Sequence, residues 1–377
     1  MTELITSSSE LKSVCDRAQQ KNFVILDTEF VRTRTLTPQL GLIQLNDGDT
    51  VSLIDPTCID NHQPLIDLLT NQNCIKVLHA CSEDLEAFIT AFNVLPSPLF
   101  DTQFAAQLCG LGATVGYANL VKTMLGIELD KGESRTDWLA RPLSAKQLVY
   151  AANDVIYLYD IYEKLITQLS EEQNRIVLSE AELLSSKKAA HFPSEFAYLL
   201  IKNNWKLRGE SLLTLKYLAK WRLERARARD MALNFVLKEG SMVNIAMIMP
   251  TSKTALSKLS ALTPQEVRMT GGNAIQIVNQ ALSDAENNKN IIPDPVKRLS
   301  EFSKYKATMA SLKTILDKIS SETGIPTEIL SSKKQLHQVL KYHWLPIDEY
   351  KVQGLTPDLM TGWRKALFQP HLQALNL

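Results

Sequence analysis

The feature that most constrains the fold is a short apolar run that leads directly into two acidic side chains. The run, Phe23 to Leu26, is typical of a buried strand, and Asp27 and Glu29 follow it. Because side chains alternate across a strand, Asp27 and Glu29 are predicted to project from the same face. Taken alone, an Asp-x-Glu pair is most often a solvated strand end, so a functional interpretation needs further residues.

A second block, His79 to Asp84, precedes a predicted helix with Ser82 as its cap. The apolar stripe of this helix consists of Leu85, Phe88, Ile89 and Phe92. Asp84 lies one turn before Phe88 and borders the stripe, whereas Glu83 points away, which favours Asp84 as the functional acid. The alternative is an acid near a helix start that the helix dipole favours.

A third block lies on the clearest predicted helix of the chain. That helix begins at Ser144, and Gln147 completes a capping-box pattern. Tyr150 and Asp154 are four residues apart on the shoulder of its apolar stripe, so a phenol and a carboxylate reach the same place. By itself the pair could equally be two residues of a partly exposed helix face.

The order and spacing of the three blocks favour the functional interpretation. The helix acid follows the strand acids by about 55 residues, and Tyr-x-x-x-Asp follows about 70 residues later. In this arrangement the chain resembles the DEDD superfamily of 3′ to 5′ exonucleases, in the subgroup with Tyr in its last block, and within it the bacterial ribonuclease D family. Supporting stretches are Gln39 to Leu45, Asp101-Thr102 and Lys131 to Trp138. One departure is Ala80, where many members of the superfamily have Asn.

The resemblance implies a metal site with defined residue roles. Two divalent cations would be held by Asp27, Glu29, Asp84 and Asp154, while Tyr150 would orient the attacking water. Carboxylates about 4 Å apart repel by about 4 kcal/mol at an effective dielectric constant of 20, so such a cluster calls for cations. With oxygen ligands only, Mg²⁺ or Mn²⁺ fits better than zinc.

The cysteine content offers a weaker alternative. The five cysteines are odd in number and confined to the first third of the chain: Cys15, Cys58, Cys74, Cys81 and Cys109. We interpret them as buried thiols in a reducing compartment, which predicts a cytoplasmic protein. A Cys81 nucleophile with His79 as its base is conceivable but disfavoured, since pairs two residues apart on a strand end are usually incidental.

Other function classes find no support in the sequence. The first ten residues lack the basic and apolar regions of a signal peptide, and no apolar run approaches the length of a membrane span. The chain also has no Cys/His ligand cluster of a zinc enzyme and no Gly-x-x-x-x-Gly-Lys loop of an NTP-driven helicase. At 377 residues it is long enough for two or three domains.

The net charge of zero conceals two halves of opposite charge. Residues 1–170 carry 12 Lys/Arg and 21 Asp/Glu, a net charge of −9, whereas residues 171–377 carry 29 and 20, a net charge of +9. An acidic half suits a metal site and a basic half suits a phosphate backbone. The basic half has no strand pattern, and from Lys206 to Arg229 it holds eight Lys/Arg against two acids. That tract is either a nucleic-acid contact or a solvated helix face.

The basic half resembles the HRDC domain, a small helical bundle that contacts nucleic acid. Matching elements are Trp221-Arg222, Ala232 to Leu237 and Leu256 to Leu259. Gly271-Gly272 is predicted at a helix-turn-helix junction, where it would either approach a phosphate or form a C-cap turn. The predicted divisions are an exonuclease domain (1–170), a linker (171–204), a first HRDC domain (205–284), a linker (285–299) and a second, diverged HRDC-like domain (300–377).

The predicted fold is therefore α/β plus all-α: an RNase H-like 3′ to 5′ exonuclease domain with a mixed sheet, followed by two helical HRDC-type bundles. The resemblance implies a monomeric exoribonuclease that trims extra 3′ nucleotides from tRNA precursors and other small structured RNAs, releasing nucleoside 5′-monophosphates. A DNA-directed exonuclease of the same superfamily would use the same acids. A non-catalytic RNA-binding scaffold with a decayed nuclease fold is the alternative from another class.

Overall fold

The structure is a computed structural model that describes residues 2–130, 132–133 and 135–377. Of the stretch from Lys131 to Trp138 that supports the family resemblance, Lys131 and Ser134 lie outside the described residues. The other residues of that stretch precede the helix that carries Tyr150.

A six-stranded mixed sheet forms the centre of the first 170 residues. Its strands are β1 (Thr2–Ile5), β2 (Phe23–Val31), β3 (Gln39–Asn46), β4 (Val51–Ile54), β5 (Ile75–Leu78) and β6 (Leu99–Asp101). The spatial order is β1-β4-β3-β2-β5-β6, and only the pairs β2/β3 and β3/β4 are antiparallel. The strand with the two acids, β2, lies between two neighbours, which confirms both the buried strand and the mixed sheet.

Helices cover both faces of this sheet. They are α1 (Ser8–Ala18), α2 (Gln63–Thr70), α3 (Ser82–Phe92), α4 (Thr102–Leu108), α5 (Tyr117–Leu125) and α6 (Ala145–Gln168). Alternate residues of β2 face opposite layers: Leu26 packs in the core with α1, α2 and α3, while Ile25 packs in the core with α4, α5 and α6. The predicted capping box of α6 is confirmed, since the Ser144 hydroxyl accepts the Gln147 N–H at 3.2 Å.

Residues 171–204, expected only to connect domains, contain a long helix that belongs to the first core. Helix α7 (Glu171–Ala189) buries Ile176, Val177 and Ala181 against the layers of the sheet domain. The Lys188 ammonium also lies 2.5 Å from the Glu86 carboxylate of α3. Ile176 and Val177 join one core layer and Ala181 joins the other, so the apolar residues of α7 point to two sides and form no single helical stripe.

The next segment is a helical domain with its own core. It comprises α8 (Gly209–Ala228), α9 (Leu233–Val236), α10 (Glu239–Ile248), α11 (Lys253–Ser257) and α12 (Pro264–Asn287). The predicted junction at Gly271-Gly272 is wrong, because both glycines lie inside the continuous helix α12. A Cβ on Gly271 would lie 2.9 Å from a Leu256 methyl group, so this glycine permits close packing of α11 on α12.

A second helical domain has a separate core centred on Phe368 and Leu312. It comprises α13 (Tyr305–Thr323), α14 (Thr327–Leu330), α15 (Lys333–Trp344), α16 (Glu349–Val352) and α17 (Gly362–Ala374). The helical bundle expected for this part of the chain is confirmed, since its described elements are all helices. Short 3₁₀ turns at Lys289–Ile291 and Leu299–Glu301 lie between the two helical domains.

Polar contacts tie both helical domains to the sheet domain. The Asp230 carboxylate accepts the Thr37 N–H at 2.9 Å and the Thr37 hydroxyl at 2.8 Å, and the Ala232 N–H donates to the Arg34 carbonyl at 2.8 Å. In the second helical domain, the Arg364 guanidinium pairs with Glu180 of α7. The first helical domain is therefore held against the loop that follows β2, the strand with the two acids.

Two expectations drawn from composition can be compared with the structure. Within the described residues, no helix combines the length and the apolar character needed to cross a membrane. All five cysteines are free, and Cys15, Cys74 and Cys81 are buried as expected. The expectation of buried thiols is wrong for Cys58, which is exposed, and only partly met by Cys109, which is half-buried.

Candidate active site

The strand acids lie on the face of β2 that α6 covers. Asp27 and Glu29 share this side with Ile25, as the alternation of strand side chains requires. The pairing of β2 with β3 shifts register between Glu29 and Phe30. A bulge of this kind re-aims side chains, and it follows directly after the second acid.

Helix α6 brings a third carboxylate to the same place. One oxygen each of Asp27, Glu29 and Asp154 lies within 4.8 Å of the others. In the described part of the chain, these three side chains form no ion pair with Lys, Arg or His. Asp154 is 125 or more residues from the two strand acids in sequence, yet the three form one acidic cluster without a cationic side chain to neutralise it.

The fourth predicted acid approaches from the opposite layer. Asp84 of α3 is 7% exposed, whereas Glu83 is exposed to solvent, so Asp84 is the inward-facing acid, as predicted. The Thr28 hydroxyl donates to Asp84 at 2.5 Å, and Asp84 is not one of the three acids whose oxygens lie together. The prediction that Ser82 caps this helix is wrong, because Cys81 occupies the cap position without a side-chain hydrogen bond.

Tyr150 lies beside Asp154 at the wall of a small cavity. The cavity, of about 240 Å³, is lined by Tyr150, Asp154, Tyr117, Asn119 and Asp130 among others. The Trp138 ring centre is 6.1 Å from that of Tyr150, but Trp138 is 1% exposed and does not line the cavity. Trp138 therefore packs behind Tyr150 and supports its orientation.

The structure does not favour the cysteine alternative. Burial, with a further contribution from Asp101, raises the pKa of the Cys81 thiol, so little reactive thiolate forms at neutral pH. Both ring nitrogens of His79 are engaged elsewhere, with the Thr102 hydroxyl at 2.9 Å and the Val115 carbonyl at 3.1 Å. Burial also lowers the pKa of His79. Cys81 and His79 therefore have the environment of buried structural residues.

Ala80, the position at which the chain departs from the superfamily pattern, has an unusual backbone conformation. Ala80 has a φ of +55°, in the left-handed region that Asn and Gly tolerate better than Ala. The Asp101 carboxylate stabilises this turn by accepting the backbone N–H groups of Ala80 at 2.9 Å and Cys81 at 3.2 Å. The turn leads into α3, so Asp101 and Ala80 help to set the position of Asp84.

Burial and mutual repulsion make the cluster reluctant to ionise. Burial is the largest cause in each case: it raises the pKa of Glu29 to about 9 and those of Asp84 and Asp154 to about 7. The pKa of Asp27 is raised well above its ordinary value by burial and by the charges of Asp84, Asp154 and Glu29. A divalent cation would remove this repulsion, and a set of carboxylate oxygens suits a hard cation.

Sequence reasoning missed two residues of the site. Tyr117 lines the cavity with Tyr150, and its hydroxyl donates to the Asn153 carbonyl at 2.8 Å, next to Asp154. Thr28 orients Asp84 through its hydroxyl. Thr28 could have been found, because it lies between the two strand acids and must face the opposite layer. Tyr117 has no comparable sequence signal.

Three family models match the chain. A 3′-5′ exonuclease model matches residues 2–170, an HRDC domain model matches residues 212–278, and a model of the C-terminal HRDC domain of ribonuclease D matches residues 303–372. The exonuclease and HRDC resemblances that the sequence suggested are confirmed.

Full-length relatives agree with these matches. Ribonuclease D of Serratia proteamaculans is 43% identical over 372 residues, covering 98% of each chain. Ribonuclease D of Escherichia coli is 40% identical over 375 residues, covering 99% of this chain and 98% of the relative. The crystal structure of Escherichia coli RNase D, described as an exoribonuclease involved in structured RNA processing, superposes with a TM-score of 0.91 at 38% identity, over 100% and 98% of the two chains. The chain belongs to the ribonuclease D family of exoribonucleases.

Proposed function

We propose that this chain is a metal-dependent 3′ to 5′ exoribonuclease that trims extra 3′ nucleotides from tRNA precursors and other small structured RNAs. The observation that carries the proposal is the meeting of Asp27, Glu29 and Asp154 oxygens within 4.8 Å of one another. The relative from Escherichia coli is described as acting in structured RNA processing, which supports this substrate class. The products would be nucleoside 5′-monophosphates.

The metal ligands in this proposal are four acids: Asp27, Glu29, Asp84 and Asp154. Their oxygen-only donor set favours Mg²⁺ or Mn²⁺, and two ions per site fit the number of carboxylates. When bound, the ions would activate a water molecule and stabilise the charge on the leaving 3′ oxygen. The contribution of Thr28 is to orient Asp84, because its hydroxyl occupies one oxygen of that carboxylate.

Tyr150 is proposed to position the attacking water. Burial is the main cause that raises its pKa above the ordinary value of 10, and the charge of Asp154 raises it further. The phenol therefore stays protonated at neutral pH, which suits hydrogen bonding to water better than it suits a role as general base. Tyr117, which also lines the cavity, would offer an aromatic surface to the terminal nucleoside.

The helical half is proposed to hold the folded body of the RNA while the single-stranded 3′ end enters the cavity lined by Tyr150 and Asp154, which we call the acidic cavity. Its net charge of +9 supports contact with phosphates, and recognition would depend on shape and backbone more than on sequence. In this proposal residues 1–170 carry out catalysis, and residues 205–284 and 300–377 hold the RNA. One chain contains all the proposed site residues, so a monomer suffices.

The test uses the purified chain, a tRNA precursor with a 3′ extension, and the same precursor with a DNA tail, each with Mg²⁺ or with chelator. Stepwise shortening of the RNA tail that requires Mg²⁺ is expected. Asp154→Asn should abolish it, while Asp160→Asn, an exposed acid on the same helix, should leave it unchanged.

Each contrary result points to a different alternative. Preferential trimming of the DNA tail would favour a DNA-directed exonuclease. Tight RNA binding without trimming of either tail would favour the scaffold. Normal trimming by the Asp154→Asn variant would remove Asp154 from the site.

A further inference from the structure

Three adjoining cavities lie at the junction of the two helical domains. Their volumes are about 350, 500 and 540 Å³. The first shares Lys297 with the second and His337 with the third, so neighbouring cavities have walls in common. We call this set of cavities the interdomain trough and define it by Trp205, Lys297, Arg298, Lys333, His337 and Trp344. All its lining residues belong to residues 196–350, so the trough is distinct from the acidic cavity.

Cationic side chains predominate in the trough. Six Lys/Arg residues line it against three acids. Of the acids, Glu349 is paired with Lys341 at 2.9 Å, and Asp348 accepts the backbone N–H groups at the start of α16. Among the described residues, Lys297, Lys333 and Lys334 form no ion pair. The trough therefore has ammonium groups available to a polyanion.

Among the described residues, the trough lysines without an ion pair lie at separate places rather than at one point. Lys333 and Lys334 begin α15 and line the third cavity, whereas Lys297 lies in the segment between the two helical domains and lines the first and second cavities. Cations at separate places along the trough match successive phosphates of a chain better than they match one isolated phosphate.

Aromatic side chains line the trough together with these cations, among them Trp205, Tyr305 and Trp344. The Arg298 guanidinium lies 3.9 Å from the centre of the Trp205 ring. The Tyr305 hydroxyl and His337 are 3.0 Å apart. Planar guanidinium groups and aromatic rings stack with unpaired nucleobases, and a basic groove follows the backbone. A basic surface that also carries aromatic rings is therefore suited to binding single-stranded nucleic acid.

We propose that the interdomain trough binds an unpaired stretch of RNA, with its lysines on the phosphates and the Arg298–Trp205 stack beneath a base. This inference rests on the proposed function, because the RNA is the same molecule whose 3′ end enters the acidic cavity. The trough thus serves as a second contact that retains a folded substrate through successive rounds of trimming.

The test compares two triple variants of the full chain. The trough variant is Lys297→Ala, Lys333→Ala and Lys334→Ala; the control variant, Lys253→Ala, Lys306→Ala and Lys313→Ala, removes three exposed lysines of the same two domains that do not line the trough. The ligand is an RNA hairpin with an unpaired loop and a 3′ tail, and the Kd is measured in chelator at several salt concentrations.

The expected result is weaker, less salt-sensitive binding by the trough variant alone. Each lost phosphate contact reduces the slope of log K against log salt by about 0.7 to 0.9, so the slope should fall by about two and the Kd near 0.1 M salt should rise by about tenfold or more. Replacing the same lysines by Arg should retain the affinity, since the charges remain. Thermal unfolding of each variant checks that the fold is intact.

Failure of this inference is separable from failure of the proposed function. Hydrolysis of a six-nucleotide single-stranded RNA with Mg²⁺ tests the acidic site alone, and the trough variant should match the unmodified chain there. Equal Kd values and salt slopes for the trough and control variants would overturn the inference. The inference would also be overturned if the trough variant lost affinity for a free nucleoside 5′-monophosphate but kept its affinity for the hairpin.

Discussion

Replacing Glu29 by Gln should stabilise the metal-free protein while removing a proposed metal ligand. In the folded chain, burial and then the charges of Asp154 and Asp84 raise the pKa of Glu29 from its ordinary value of 4.5 to about 9. The folded chain therefore holds a proton that the unfolded chain releases above about pH 4.5. As a result, Glu29 lowers the free energy of unfolding progressively as the pH rises from 4.5 to 9.

The size of the change in the free energy of unfolding follows from the difference between the pH and the ordinary pKa of 4.5. Each pH unit corresponds to about 1.4 kcal/mol, so keeping Glu29 protonated costs the folded protein about 3 kcal/mol at pH 7 and less than about 1 kcal/mol at pH 5. Gln has a similar shape and no proton to lose, and it removes this cost. Glu29→Gln should therefore raise the free energy of unfolding by up to about 3 kcal/mol at pH 7 and by little at pH 5.

The assay is urea unfolding in chelator at pH 5, 6 and 7, with Glu83→Gln as the control because Glu83 is an exposed acid near the same site. Addition of Mn²⁺ should reverse the order of stability at pH 7, since an ion at about 1,000 times its Kd stabilises the unmodified chain by about 4.1 kcal/mol, more than the gain expected for the variant. A Glu29→Gln variant that is destabilised in chelator at pH 7, or equally stabilised at pH 5 and pH 7, would refute the reasoning.

Three further substitutions test other parts of the structure. Ala80→Asn should raise the free energy of unfolding by about 1 kcal/mol in urea unfolding, because Asn tolerates the φ of +55°. Gly271→Ala should lower it by about 1 to 3 kcal/mol, since its Cβ would lie 2.9 Å from Leu256, whereas Gly272→Ala, with open space on the same helix, should raise it by about 0.5 to 1 kcal/mol. Tyr150→Phe should slow RNA hydrolysis less than Asp154→Asn does, and an unchanged rate would reject its role with water.

Features set by local sequence were predictable. Side-chain alternation on β2 places Asp27 and Glu29 on one face, and helical spacing places Tyr150 beside Asp154. The capping box at Ser144 depends only on residues within one turn. The prediction that the three blocks form one site came from the family resemblance, because periodicity alone does not determine which strand and helix faces meet.

Features set by tertiary contacts were not predictable from local patterns. Gly271 lies inside a helix and permits the close approach of Leu256 from another helix, and that contact cannot be inferred from a Gly-Gly pair. Helix α7 places apolar residues in two core layers, so they form no single stripe from which a buried helix could be predicted. The roles of Thr28 and Tyr117 likewise depend on partners contributed by other elements.

The most direct test of the acidic site is a crystal structure of the full chain with Mn²⁺ and a short RNA whose terminal linkage resists hydrolysis. Anomalous scattering locates Mn²⁺ without reference to activity. The expected result is two ions about 4 Å apart, bound by Asp27, Glu29, Asp84 and Asp154, with the RNA 3′ end beside Tyr150. Ions bound elsewhere, or an RNA 3′ end outside the cavity, would contradict the proposed mechanism.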